Sequence, residues 1–482
     1  MSNLSFDWSL FQYFTSRRKL SLPNGEAQAD SGSKRMRKSD LINEARSAGW
    51  RVVDPSKECF LIPPSPPNLI YPEIELGIFS SLLEIFLHFV DQHMVTMLMD
   101  SLTLEDVTLG YRNKACGTTR RMTVTPQLVY KVFAVHIRII GMQFPSHEVI
   151  RKPLRAALDE CREHFRDKHC PSIDYLERMT SVLLFEDTLG ETLSSSFQSV
   201  VSRLGHSVAG DERLFHFSGK QGSTRLVKCK PGQVGLWLHE LCCKLSCGVP
   251  FLLHFRLHRN ISPDNDYVRP SEVVRRWVHM IKSIGNGESN QSRNSLLAFD
   301  NYYLDTSIIN FLREESRSWS IAVQAVEICP ERELLMNGTV DMAGEYCAIY
   351  NDCTKELFSY HCGSRKSNDE KYTYSLGLVR SEDLRKIRET PEAILDFDVH
   401  ESLMEACNNF NDGLNHKSWP HRRGGGRRTG HFGLVHDFIF ASILQNTFNL
   451  HSEMGGDNER NATFHDKCLE LSEGLFEYAD TL

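Results

Sequence analysis

Several signatures of common enzyme and membrane classes are missing from this sequence of 482 residues. It contains no Gly-rich phosphate loop followed by Lys-Ser or Lys-Thr and no Gly-x-Ser-x-Gly turn, so nothing supports a kinase, a nucleotidase or a serine hydrolase. The longest apolar stretch, residues 76–90, is interrupted by Glu84 and has a helical period, so we expect no membrane partner. The 14 cysteines lack the spacing of a disulfide framework, which favours reduced thiols in an intracellular protein.

Positive charge is also scarce, because 55 Lys and Arg stand against 62 Asp and Glu and give a net charge of −7. This excludes a uniformly basic surface, but DNA binding needs only local basic patches. Residues 34–38 form one such cluster and are a candidate nuclear import signal, so we expect the protein in the nucleus. A Gly-rich loop at 421–428 forms the second, and it is either a DNA-backbone clamp or a solvated surface loop. Its four arginines are Arg422, Arg423, Arg427 and Arg428.

Composition and periodicity predict a mixed α/β protein of several segments. The apolar positions between residues 73 and 99 predict one continuous helix. From residue 207 the pattern changes to three strands, followed by helix, strand, helix and strand. The predicted segments are a poorly ordered leader (1–67), a helical region for dimerisation or DNA binding (68–206), a core (207–332), a strand-rich insertion (333–398), the C-terminal helices of the core (399–451) and an acidic tail (452–482).

One acidic position stands out because it ends an apolar, strand-like run. Asp300 ends the run 295–299 and is followed by Asn301 and a helical pattern. A carboxylate at the tip of a buried strand is held rigidly, and α/β sheets place metal ligands there. The alternative for this segment is an Asp-Asn turn without a function. A second segment, which contains Asp211 and Glu212, changes the balance between these two interpretations.

The order of these motifs resembles that of piggyBac-type transposases. An Asp-Glu pair opens the first strand, Lys230-Pro231 and Gly235 lead into the second, and a third strand follows at 248–258. The Asp300 segment, the insertion at 338–352 and the region 407–450 follow in the family's order, so the resemblance spans residues 68–451. It implies a ribonuclease-H-like core of the DDE type, double-stranded DNA as the partner and a homodimer as one possible state.

The resemblance also implies a reaction and the first residues of its site. Transposases of this type cleave and transfer DNA strands with two Mg²⁺ or Mn²⁺ ions, which carboxylates bind as hard oxygen ligands. Asp211 and Asp300 match the first two acidic positions and are the predicted metal ligands. Glu212 is next along the strand, so it points to the other face and is not required as a ligand.

The third acidic position departs from the family pattern. Counting back from the Lys-x-Trp-like segment at 416–420, the matching residue is Asn408, a neutral amide that cannot supply the missing charge. Three explanations stay open: the site is impaired, Asp412 is the true third ligand, or Glu405 and Asp412 reach the same place from one helix face. The sequence therefore predicts either a transposase, impaired at Asn408, or a non-catalytic DNA-binding or interaction protein derived from one.

Overall fold

The structure is a computed structural model that forms two compact units. The insertion unit comprises Met1–Ile62 and Val323–Leu395, and the core unit comprises Pro63–Ala322 and Asp396–Leu482. The description is restricted to residues 37–53, 59–61, 71–100, 111–112, 119–120, 124–142, 151–161, 189–204, 207–216, 225–226, 234–258, 270–284, 296–300, 303, 308, 311, 320–324, 333–334, 346–354, 356–362, 374–380, 385–387, 431–455 and 462–482.

Helices and strands alternate along the chain. The described helices are α1 (Lys38–Ser47), α2 (Leu82–Phe89), α3 (Gln92–Asp100), α4 (Pro126–Gly141), α5 (Arg151–Glu160), α6 (Gly190–Ser199), α7 (Pro270–Ile284), α8 (His431–Met454) and α9 (Phe464–Thr481). The described strands are β1 (Trp50–Val52), β2 (Cys59–Leu61), β3 (Glu73–Ile74), β4 (Tyr111–Arg112), β5 (Thr119–Arg120), β6 (Val201–Arg203), β7 (Ser207–His216), β8 (Arg225–Leu226), β9 (Val234–Lys244), β10 (Pro250–His258), β11 (Leu296–Asp300), β12 (Ser320–Gln324), β13 (Tyr346–Asn351), β14 (Glu356–Cys362), β15 (Tyr374–Arg380) and β16 (Arg385–Ile387).

The sheet of the core unit has the strand order β12-β11-β7-β9-β10, and β8 pairs with β9. Strands β7, β9 and β10 form an antiparallel meander, whereas β11 pairs in parallel with β7. A parallel partner cannot be reached through a tight turn, so the chain must cross over the sheet between β10 and β11. Helix α7 lies in that crossover. The mixed helix and strand content confirms the α/β class.

One face of the sheet is closed by α7 at Gly210. A Cβ atom added to Gly210 would lie 2.3 Å from Cζ3 of Trp277, so the wholly buried indole rests directly on the backbone of β7. Trp277 also packs against Tyr303, with the two rings tilted by 55° and their centroids 4.8 Å apart. Because side chains alternate along a strand, the residues on either side of Gly210 face away from this helix.

The outer edge of β10 is covered by side-chain amides of α8. Asn446 accepts a hydrogen bond from the Leu252 backbone nitrogen at 2.9 Å and donates one to the Leu252 carbonyl at 2.8 Å. Asn449 donates to the Pro250 carbonyl at 2.6 Å. An unpaired strand edge is a template for pairing with another chain. The amides satisfy these backbone groups and tie α8 to the sheet.

Helices α3, α5 and α9 pack on the nearly fully buried α4. Thr125 caps α4 through its hydroxyl, which accepts from the Leu128 nitrogen at 3.3 Å, and Pro126 occupies the first turn. Arg138, only 7% exposed, donates to Glu160 of α5 at 3.4 Å and to Glu473 of α9 at 3.2 Å. A buried guanidinium must be paired, so these carboxylates join three helices.

The continuous helix predicted between residues 73 and 99 is wrong. Residues 73–74 form β3, which pairs with β6, and α2 begins only after Ser81, whose hydroxyl accepts from the Glu84 nitrogen at 3.3 Å. Asp91 begins a new helix, because its carboxylate accepts from the Met94 nitrogen at 2.7 Å. Among the described helices, no single one is long and apolar enough to cross a membrane; α2 and α3 meet that length and composition only as a pair bent by 44°.

Residues 464–481 of the predicted acidic tail form helix α9. Thr463 and Asp466 make a reciprocal capping box at its start. Cys468, Leu471 and other apolar residues bury one face, while the acidic residues lie on the other. Asp480 pairs with Lys131 of α4 at 2.5 Å, so part of the acidic charge neutralises basic residues of the helical layer.

The predicted poorly ordered leader is also wrong for residues 38–52, which fold into the insertion unit. Strand β1 pairs antiparallel with β13, and β2 pairs with β16. Arg51 forms a salt bridge with Asp352, with its Nε 2.7 Å from Oδ2. Its guanidinium carbon lies 5.4 Å from the centroid of the Tyr350 ring. Asn351 donates to the Ala48 carbonyl at 2.9 Å. A three-residue strand has too little pattern to be recognised from sequence, because its partner is some 300 residues away.

Gly210→Ala tests the contact between α7 and the sheet. We expect the free energy of unfolding to fall by about 1–3 kcal/mol, because the methyl group would overlap the buried Trp277 ring. Urea denaturation followed by circular dichroism measures the change. Gly77→Ala is the matched control, since an added Cβ there meets no atom within 4 Å. Equal stability of the two variants would contradict the contact.

The turn between β9 and β10 contains a contact that should make the stability of the fold depend on pH. Glu453 of α8 accepts hydrogen bonds from the Cys247 nitrogen at 2.8 Å, the Ser246 nitrogen at 3.1 Å and the Ser246 hydroxyl. Burial acts to raise the pKa of Glu453, but these bonds outweigh it and lower the pKa below the ordinary value of 4.5. A carboxylate with a lowered pKa stabilises the fold above its unfolded-state pKa, and this contribution is lost as pH falls through the folded-state pKa.

Glu453→Gln should therefore lower Tm at pH 7, by the equivalent of about 1 kcal/mol for a half-exposed hydrogen-bonded charge. The gap in Tm between this variant and the unmodified chain should close as pH falls below 4.5. Thermal melts between pH 7 and pH 3 measure both. Glu477→Gln, on the exposed face of α9, is the control and should leave Tm unchanged. A gap that persists at pH 3 would contradict the ionic origin of the effect.

Candidate active site

Asp211 lies within β7 and is held at the surface of the core sheet. It is 6% exposed, and its Oδ1 accepts a hydrogen bond from the Glu212 backbone nitrogen at 2.7 Å. This bond fixes the carboxylate close to its own strand. Asp211 is on the face opposite to α7, because Gly210 directly precedes it and touches Trp277.

The backbone of Asp300 lies beside that of Asp211. Strands β7 and β11 pair in parallel, and the last paired residues along them are Gly210 and Phe299. The next residue on each strand is an aspartate, so Asp211 and Asp300 share one register level on strands about 4.8 Å apart. The sequence placed these two acids on separate strands, and the topology brings their backbones together. The side chain of Asp300 is outside the described part of the structure.

Glu240 is an acidic residue that the sequence analysis missed. It lies on β9 directly opposite Asp211 in the antiparallel register and has 0% exposure. Residues opposite each other on neighbouring strands project on the same face, so Glu240 shares the face of Asp211. Phe255 pairs with Glu240 in turn, and its ring contacts Phe438 of α8 at 5.0 Å. This face is therefore covered by α8, and only the pairing of the strands could have identified Glu240.

Glu212 belongs to the opposite face, as the alternation of side chains predicts. It pairs with His239 on β9, and His239 Nδ1 makes a hydrogen bond of 2.8 Å with the Tyr303 hydroxyl. Tyr303 packs on Trp277 beneath α7. Two buried glutamates near Asp211 thus have different surroundings: Glu240 shares its face, and Glu212 lies under α7.

The buried histidine of β10 beside this register level stays uncharged. Burial, together with the smaller effects of the charges of Arg256 and Arg276, lowers the pKa of His254 to about 3. His254 pairs with Leu241, the residue that follows Glu240 in β9. Leu241 pairs with Gly210, so His254 belongs to the face of the sheet that α7 covers. It adds no positive charge that could neutralise the carboxylates in the physiological pH range.

The remaining predicted site residues are outside the described part of the structure. They are Asn408, Asp412, Glu405 and the four loop arginines Arg422, Arg423, Arg427 and Arg428. Among the side chains that are described, no three His, Cys, Asp or Glu residues are grouped so that they could hold a metal ion. The oxygen donors at the Asp211 level nevertheless suit a hard divalent ion such as Mg²⁺, which prefers carboxylates. The structure thus leaves the third ligand a prediction.

Comparisons with known proteins identify the fold. No protein-family model matches the chain, and no curated protein matches its sequence. Among solved structures, the chain is similar to a piggyBac transposase determined by cryo-electron microscopy in a synaptic complex with hairpin DNA. The TM-score is 0.60 at 12% sequence identity, and the alignment covers 83% of this chain and 81% of that one. The predicted resemblance is confirmed at the level of structure: the chain has a piggyBac-transposase-like fold.

Proposed function

We propose that this protein acts on double-stranded DNA as a piggyBac-like transposase with a ribonuclease-H-like core of the DDE type. The observation that carries the proposal is the shared register level of Asp211 and Asp300 on parallel neighbouring strands. The strand order β12-β11-β7-β9-β10, with a helical crossover before β11, supports the same core. The structural neighbour is a DNA complex, which supports DNA as the partner.

In the proposed reaction, Asp211 and Asp300 would hold divalent ions at the end of the parallel strand pair. Bound divalent ions would supply Lewis-acid chemistry there, which activates the attacking oxygen and stabilises the leaving oxygen of a phosphodiester. A new P–O bond forms to water or to a strand's 3′ hydroxyl, and the bond to the leaving 3′ oxygen breaks. Rigid strands and the short bond from Glu212 nitrogen would keep Asp211 oriented toward that position.

A second function is favoured by Asn408. Where the family pattern has an acid, this amide brings no charge, so the second ion would bind poorly. We therefore keep a non-catalytic, transposase-derived DNA-binding or interaction protein as the alternative. Both functions place the protein in the nucleus, with residues 34–38 as the proposed import signal, and both allow a homodimer on DNA.

Asn408→Asp separates the two functions. We expect the unmodified chain to nick supercoiled DNA very weakly in Mg²⁺, and Asn408→Asp to raise nicking because it restores the missing negative charge. Asp412→Asn is the matched control and should change nothing if Asp412 is a solvated residue. Strong cleavage by the unmodified chain that Asp412→Asn abolishes would show that Asp412 is the third ligand. An absence of cleavage in both the unmodified chain and Asn408→Asp would favour the non-catalytic function.

DNA affinity tests the basic loop. If Arg422, Arg423, Arg427 and Arg428 contact phosphates, replacing all four with alanine should flatten the slope of log K against log salt by up to about 3.6, from roughly 0.9 per phosphate. Fluorescence anisotropy with duplex DNA at 50–200 mM salt measures the slope. Replacing exposed Arg46 and Arg155 together removes two positive charges outside the loop and controls for a general effect of charge loss. An unchanged slope in the loop variant would assign the loop to solvent.

A further inference from the structure

Glu240 is a charged residue type on a face of β9 that is otherwise apolar around it. Its neighbours on the same face of β9, Leu238 and Cys242, are apolar and are 3% and 1% exposed. A carboxylate of 0% exposure between them costs stability unless charge or hydrogen bonds compensate it.

Glu240 lies at the same register level of the sheet as the two aspartates. It is opposite Asp211 in the register, and Asp211 is level with Asp300 on the next strand. One register level across β9, β7 and β11 thus holds three acidic residues in neighbouring positions. Like charges directly opposite on adjacent strands repel each other. A divalent cation held by oxygen ligands would turn this repulsion into attraction.

We propose that Glu240 is an ion-binding residue that supplies the third carboxylate of the site, in the role left open by Asn408. The inference rests on the proposed function, because it concerns the same ions. Two divalent ions carry four positive charges, and Asp211 and Asp300 supply only two negative ones. Glu240 adds a third, and its side chain is one methylene longer than that of aspartate, which suits a position one strand away. Oxygen ligands at about 2.0–2.1 Å are what Mg²⁺ requires.

Glu212 offers an internal comparison within the same strands. It is also a buried glutamate, at 8% exposure, and it adjoins Asp211 in sequence. Its partner His239 is bonded to Tyr303 under α7, on the opposite face of the sheet. A general effect of removing a buried acid should therefore appear in both Glu212 and Glu240 variants. Loss of ion binding should appear only for Glu240.

The test uses the full chain with Mn²⁺ alone as the probe. Tm is measured in EDTA and in Mn²⁺, and the rise in Tm on adding the ion is the readout, because a ligand that binds the folded state raises Tm. Calorimetric titration gives the Mn²⁺ affinity directly. The unmodified chain should show the rise. Glu240→Gln should abolish most of it and weaken Mn²⁺ binding by at least about tenfold, whereas Glu212→Gln should keep both.

Asp211→Asn separates failure of this inference from failure of the proposed function. If Asp211→Asn loses the rise in Tm and Glu240→Gln keeps all of it, Glu240 is not a ligand and the two-aspartate site stands. If the unmodified chain shows neither a rise nor Mn²⁺ binding, the ion site and the role of Glu240 are both overturned. Glu240→Met, an apolar residue of similar length, replaces Glu240→Gln if that variant is unstable, and the same outcomes apply to it.

Discussion

The parallel pairing of β7 with β11 is the constraint on which the rest of the structure depends. These strands are some 90 residues apart in the chain, and they become neighbours only because the segment with α7 crosses the sheet. The crossover helix can approach because Gly210 has no side chain where Trp277 rests. The same contact assigns the faces of the sheet, so the packing of one indole decides on which side Asp211 presents its carboxylate.

Charged side chains inside the core unit have two kinds of surroundings. In the helical layer it is neutralised by direct pairing, as Arg138 is with Glu160 and Glu473, and these pairs join helices that are distant in sequence. At the sheet, Asp211 and Glu240 are like charges opposite each other. Pairing between opposite charges stabilises a fixed arrangement of helices. In the function proposed above, the carboxylates of the sheet would instead bind a divalent cation.

The long helix α8 connects these regions. Its middle part replaces a neighbouring strand at the edge of β10 through Asn446 and Asn449, and its end holds the β9–β10 turn through Glu453. Its earlier part contacts Phe255, which pairs with Glu240. A displacement of α8 would therefore change contacts both at the sheet edge and on the face that carries the acidic residues. The helix and the meander behave as one packed layer.

Strand runs in the core, the start of α4 near Thr125 and the two aspartates at strand positions were determined by the sequence itself, because alternation, capping and apolar runs are local properties. Only the tertiary structure decided that Asp211, Glu240 and Asp300 share one level, because register between strands is set by packing and by the path of the crossover. The same holds for β1, whose partner β13 lies about 300 residues away, and for α9, whose acidic surface concealed an apolar face. Local pattern identifies an element, but the elements it meets depend on interactions between distant parts of the chain.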